Sequence, residues 1–206
     1  MKIFIPKEDS NELRTAISPE VVKKLSGSGH EIFIETNAGS GSNFDDEILI
    51  EAGAKIYNDN NQLKTADFIF RVNAPSENEI AIYKEDSILI ASLNPYNNIE
   101  IIKKLEAQKT ISFAMELMPR ITRAQSMDVL SSQSNLAGYQ AVIEASNIFN
   151  KAMPMMMTAA GTIAPAKVMV FGAGVAGLQA IATAKRLGAI VSATDVRMAA
   201  KEQVES

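Results

Sequence analysis

Residues 167 to 197 read KVMVFGAGVAGLQAIATAKRLGAIVSATDVR, and the fold is decided by how this stretch is parsed. A short apolar strand, Val168 to Phe171, runs into Gly172-Ala173-Gly174-Val175-Ala176-Gly177. A helix follows and stops at Gly188, and a second strand, Ile190 to Thr194, ends at Asp195. Each glycine serves a physical purpose. Gly172 permits the tight turn, Gly174 lets backbone approach a pyrophosphate, and Gly177 lets the helix pack closely on the strand. The N-H groups of Val175, Ala176 and their neighbours at the helix start then face an anion. Asp195 lies 18 residues beyond Gly177, where a carboxylate accepts hydrogen bonds from an adenosine ribose. The same charge repels a 2'-phosphate, which favours NAD over NADP, with Arg197 as a nearby counterweight. Only eleven residues follow Asp195, whereas a complete dinucleotide-binding unit has two halves and about six strands. The expectation is a fragment with half of its nicotinamide pocket missing.

Upstream, short β-rich runs alternate with helical patterns. KIFIP, EIFIE, DFIFRV, SILIAS and TISFAM read as strands. SPEVVKKL reads as a helix with Ser18 as N-cap and Pro19 at the first helical position, and further helices are expected from Asp45 to Ala52 and over NNIEIIKKLEAQ. Elements alternating in this way imply a parallel sheet covered by helices. A long helix from about Ser131 to Asn150 leads to NKAMPMMMTAAGTIAPA, read as a crossing between two units. Methionines 153, 155, 156 and 157 are read there as packing, with cleft lining as the alternative. The resulting division is an N-terminal α/β domain over 1–130, a linking helix and crossing over 131–166, and the start of a dinucleotide-binding Rossmann domain over 167–206. The fold class is α/β, with two Rossmann-like or flavodoxin-like parallel-sheet domains, the second truncated after its first β-α-β unit.

Composition narrows the function classes. The 206 residues include no cysteine, which excludes disulfides, thiolate metal sites and thiol nucleophiles, and no metal site is expected. The net charge of -4 and the lack of a long basic run argue against a nucleic-acid partner. From Met153 to Ala184 the only charged residue is Lys167, yet Pro154, Pro165 and the glycines divide that apolar stretch, so direct membrane insertion is not expected. The N-terminus lacks the apolar core of a secretory signal, which places the chain in the cytoplasm. His30, the single histidine, is expected at the surface.

One polar stretch stands out. Residues 119 to 135, PRITRAQSMDVLSSQSN, gather Arg120, Arg123, Gln125, Asp128 and Ser131 within a short span. Taken alone it is a solvated loop entering a helix cap.

Taken with MMMTAAGT and the glycine segment, MPRITRAQSMDVLSSQSNLAGYQAVIEA resembles the NAD(H)-binding domain of the alpha subunit of proton-translocating NAD(P) transhydrogenases, within the alanine dehydrogenase/transhydrogenase superfamily. The likeness begins at PKE and RTAISPEVVKKL and continues to KEQVES. It implies that the loop carrying Arg120, Gln125 and Asp128, with Ser131, reaches the nicotinamide end of NAD(H) across an interdomain cleft. Arg120 would contact the pyrophosphate or nicotinamide region, Gln125 the neighbouring ribose and Ser131 the carboxamide, while Asp128 would hold the loop and its arginine. Backbone contacts would come from Arg120, Ile121, Thr122 and Arg123, from Val175, and from Asp195, Val196 and Arg197; Tyr139 would support the loop from behind. The resemblance further implies NADP(H) on a partner subunit or domain, membrane-spanning partner subunits, a homodimer, and a peripheral position on the cytoplasmic face of the bacterial inner membrane. The isolated chain would then be inactive.

The rival from the same superfamily is an alanine dehydrogenase, which shares the architecture and an arginine at the place of Arg14. Oxidising an amino acid requires a base. Where that family carries a lysine after the FIFRV-like strand and a histidine after the SILIAS-like strand, this sequence has RVNAP and SLNPY, with Asn73 and Leu93-Asn94 at those places. A further alternative is a nucleotide-binding sensor or gene remnant without catalysis.

Overall fold

The computed structural model describes residues 1–205, which divide into two compact units, Met1–Met127 and the chain from Asp128 onward. In the first unit the chain runs β1 (Lys2–Ile5), α1 (Pro19–Gly27), β2 (Glu31–Glu35), α2 (Asp46–Glu51), β3 (Ala54–Tyr57), β4 (Phe68–Asn73), α3 (Glu77–Ile80), β5 (Ile88–Ser92), α4 (Ile99–Ala107) and β6 (Ile111–Ala114). The six strands form one parallel sheet in the order β3-β2-β1-β4-β5-β6. This is the Rossmann order, so of the two doubly wound variants anticipated the first unit takes that one. Strand β3, an edge strand of four residues with an exposed lysine, was not legible as a strand in the sequence.

Alternation along the strands divides the core into two layers. Phe4 joins Tyr57, Ile69, Leu89 and Leu105 on one side, and stacks on Phe33 with ring centroids 4.6 Å apart. Ile3 and Ile5 join Ile32, Ile34, Val22 and Leu49 in the other layer. Burying each such side chain contributes about 1.5–3 kcal/mol relative to exposure. Ser18 occupies the N-cap of α1 as expected, but its side chain makes no cap hydrogen bond there.

Strand order reverses between β1 and β4, the place where open sheets leave a crevice at the carboxyl ends of their strands. Here Glu8 lies just beyond β1 and accepts hydrogen bonds from the Val72 N-H (2.6 Å), the Asn73 N-H (3.3 Å) and Arg71 Nη2 (3.1 Å). The second arm of Arg71 pairs with Glu79, which also accepts from the Tyr83 hydroxyl at 2.8 Å. Burial opposes the charge on Arg71, yet the two carboxylates keep its pKa raised. The cluster ties the segment after β1 to the end of β4 and to α3.

The second unit contains α5 (Val129–Ile148), β7 (Met156–Thr158), β8 (Gly161–Ile163), β9 (Lys167–Phe171), α6 (Val175–Arg186), β10 (Ile190–Thr194) and α7 (Ala200–Glu205). Strands β9 and β10 pair in parallel, from Lys167↔Ile190 to Phe171↔Thr194, giving the anticipated β-α-β unit. Val168 and Val191 pack against a small core of Val142, Met153, Ala166 and Ala184.

Two details depart from the sequence reading. Helix α5 begins at Val129 because Asp128 caps it. The methionine-rich crossing contains an antiparallel hairpin, β7 on β8, turning through Ala159 and Ala160. Packing accounts for Met153 alone: Met155, Met156 and Met157 are exposed along the first arm of that hairpin. His30 is half-buried just before β2, with Nδ1 lacking a partner, so it is less of a surface residue than expected.

Candidate functional site

The site is built outward from the turn after β9. Gly172 has φ +92, in the left-handed region that favours glycine, and its N-H donates to the Thr194 carbonyl at 2.7 Å, holding the turn to the end of β10. A Cβ on Gly177 would stand 1.8 Å from the Gly172 carbonyl oxygen, so α6 starts against the turn at a separation only glycine allows. A Cβ on Gly174 would meet no protein atom within 4 Å; the space over that residue is open to a ligand. Gly174 is the N-cap of α6, with no side-chain cap bond and no acidic residue in the first turn. The leading N-H groups around Val175, Ala176 and Gly177 are therefore neither capped by a side chain nor shadowed by a carboxylate, which suits a diphosphate.

Asp195 follows β10 directly. Its Oδ2 accepts the Ala173 N-H at 2.7 Å, so the carboxylate is fixed to the middle of the glycine turn. Oδ1 accepts the Arg197 N-H at 2.8 Å, and the Arg197 guanidinium closes on both oxygens at 3.0 Å. The Arg197 side chain, then the Arg197 and Ala173 amides, hold the Asp195 carboxyl well below the usual carboxylate range. Two hollows of about 390 and 320 Å³ share Thr194, Asp195 and Arg197 in their walls. The smaller also has Phe171, Gly172 and Val196 in its lining. The structure thus gathers Gly172, Gly174, Val175, Ala176, Gly177, Asp195, Val196 and Arg197 at one end of the β9-β10 pair.

The polar stretch around residue 120 is divided between the two units. Arg120, Ile121, Thr122, Arg123 and Gln125 lie in the first unit, mostly on a 3-10 turn from Thr122 to Met127. All five are exposed, around a buried Ala124. Asp128 and Ser131 belong to the second unit and are brought together by the cap of α5. Asp128 Oδ1 accepts the Ser131 N-H at 2.9 Å, and Oδ2 accepts the Ser131 hydroxyl at 2.6 Å. With its proton committed to Asp128, the Ser131 hydroxyl has acceptor capacity left to offer. Tyr139, two turns further along α5, is exposed.

A residue that sequence reasoning missed is Gly138. It is buried in the middle of α5, and a Cβ there would stand 2.1 Å from the Ala176 carbonyl oxygen. The crossing of α5 and α6 therefore locks the helix that bears Ser131 to the helix that opens at the glycine turn. The signal was present as a glycine inside a strongly helical run, which is costly unless close packing requires it.

Two parallel-sheet units, the second opening with a phosphate-cradling turn and a carboxylate at the end of its next strand, define an α/β chain of the dinucleotide-binding type. The chain belongs to the alanine dehydrogenase/PNT family: the N-terminal domain of that family matches residues 4–137 and its C-terminal domain residues 141–206. It is 56% identical to the first of the polypeptides that make up NAD(P) transhydrogenase subunit alpha in Rhodospirillum rubrum, over all of this chain and 56% of that protein. The structure of a transhydrogenase from Sinorhizobium meliloti superposes with a TM-score of 0.96 at 57% identity, over all of this chain and 62% of that one. An alanine dehydrogenase from Staphylococcus epidermidis is more distant, at 36% identity over all of this chain and 56% of that enzyme. The chain spans about half the length of the curated relatives it matches. Among the described residues no helix is long and apolar enough to cross a membrane.

Proposed function

We propose that this chain forms the N-terminal half of the NAD(H)-binding part of a proton-translocating transhydrogenase, which passes hydride between NADH and NADP+. The observation that carries the reading is the Asp195 carboxylate, fixed 2.7 Å from the Ala173 amide of a glycine turn whose outer side is open. It sets a ribose acceptor beside an anion cradle, and the kinship with transhydrogenase alpha subunits supports the rest. NAD(H) belongs to this chain and NADP(H) to a partner subunit or domain. Membrane-spanning subunits, a homodimer and the cytoplasmic face of the bacterial inner membrane complete the assembly.

When bound, NADH supplies a hydride donor, and its transfer to a second nicotinamide leaves no oxygen or nitrogen to protonate. The work of this chain is then positioning, because reacting atoms must be held about 3–3.5 Å apart. The amides of the glycine turn and the start of α6 bind the diphosphate, and Asp195 accepts from the adenosine ribose. Ser131, its proton held by Asp128, accepts a hydrogen bond from the carboxamide. Arg120 and Gln125 orient the pyrophosphate and the ribose on the nicotinamide side, with main-chain contacts from Ile121, Thr122 and Arg123.

The alanine dehydrogenase reading is disfavoured at the positions where a base is needed. Asn73 donates its side-chain amide to Glu12 at 3.1 Å, and Leu93 is buried while the Asn94 N-H is bound by Glu116. The test uses the intact complex, with NADH and an NADP+ analogue as substrates and hydride exchange as the readout. Arg120→Ala should slow exchange more than it weakens NADH binding. Equal losses contradict a positioning role, and formation of NADH from L-alanine and NAD overturns the assignment.

A further inference from the structure

The Asp195 carboxylate is fully engaged. A carboxylate offers about four lone-pair positions, and four donors reach this one: the Ala173 N-H, the Arg197 N-H, and Arg197 Nε and Nη2. The two main-chain donors belong to the fold of the turn. The two guanidinium donors come from a side chain that is 61% exposed, whereas the Asp195 side chain is only 9% exposed. A ribose diol that donates to Asp195 therefore needs the positions that Arg197 holds. Once displaced, the guanidinium stays tethered two residues away, a planar cation beside the ribose, and such a fork suits a phosphate.

We infer that Arg197 is a specificity-determining residue that competes with the adenosine ribose for Asp195 and, when displaced, serves a 2'-phosphate. The inference rests on the proposed dinucleotide site. It gives Arg197 opposite effects on two coenzymes that differ only in that phosphate. Against NADH it is a competitor; toward NADPH it is a partner that offsets the repulsion from Asp195. The site then discriminates less sharply against NADPH than its acidic residue alone would make it.

The experiment is a pair of binding titrations on the intact polypeptide, with NADH and NADPH as fluorescent probes, comparing wild type with Arg197→Ala and Arg197→Lys. An exposed ion pair is weak, so Arg197→Ala should tighten NADH by roughly two- to fivefold. Loss of a charge-assisted phosphate contact should weaken NADPH on the order of tenfold. Arg197→Lys keeps the charge but not the fork, and should fall between the two for both ligands. A merely structural Arg197 would shift both coenzymes in the same direction, and that result overturns the inference, as does no change in either. Failure of the wild type to bind NADH overturns the dinucleotide site itself, whereas wild-type NADH binding with parallel shifts in the variants removes only the role given to Arg197.

Discussion

Replacing Gly138 by alanine sets two physical effects of opposite sign against each other. Alanine is the better helix former by about 1 kcal/mol, so at an unobstructed position in α5 the change would stabilise the protein. At Gly138 the new Cβ would stand 2.1 Å from the Ala176 carbonyl oxygen, 2.9 Å from its carbonyl carbon and 3.0 Å from its Cα. All three atoms are main chain, so no rotamer change relieves them, and α5 and α6 must separate by about 1 Å. Overpacking of this kind costs about 1–3 kcal/mol, and moving the α5-α6 contact also disturbs the small core of Val142, Met153, Ala166 and Ala184. The net effect should be a loss of about 1–2 kcal/mol, read as a Tm lower by several degrees in thermal denaturation. Because α6 begins at the glycine turn, NADH should bind more weakly as well. Adding Ala176→Gly should not restore either quantity, since no side-chain atom is in the way. A higher Tm with unchanged NADH affinity would refute the claim that the two helices touch through their backbones at this point.

Arg71→Met should destabilise the first unit by about 3–5 kcal/mol, because Glu8 and Glu79 would be left as buried carboxylates without their guanidinium. A urea midpoint corresponding to less than about 1 kcal/mol would mean that the cluster is already compensated in another way. Glu12 is held down to a pKa of about 2, chiefly by its side-chain hydrogen bond with Arg14. A carboxyl whose pKa is lowered on folding stabilises the native state above its unfolded value and loses that contribution as pH falls toward the folded one. Stability should therefore decline between about pH 4.5 and pH 2, and Glu12→Gln should flatten that part of the profile. An identical slope in the variant would remove Glu12 as the source.

Periodicity and turn chemistry made much of the fold legible. Strands such as EIFIE and SILIAS declare themselves by apolar, β-branched residues between turn signals, because those preferences are local. Edge strand β3 was missed since AKIY is short and carries a lysine, and its pairing with β2 is what makes it a strand. The hairpin of β7 and β8 escaped for a related reason: its methionines are exposed and show no period, so only the cross-strand register from Met156↔Ile163 reveals it.

At the candidate site the sequence by itself determined the parts that depend on backbone conformation and residue spacing. The glycines at 172, 174 and 177, the helix after them and the acid at 195 can be placed from order alone, because a strand, a tight turn and a helix follow one another without help from distant residues. Only the tertiary structure decided what those residues touch. Asp195 bonded to the Ala173 amide, Arg197 closed over the same carboxylate, Ser131 donating to Asp128 and Gly138 set against the Ala176 carbonyl are outcomes of side-chain direction and helix crossing. Those contacts depend on where packed elements meet in space, and residue order along a chain does not carry that distance.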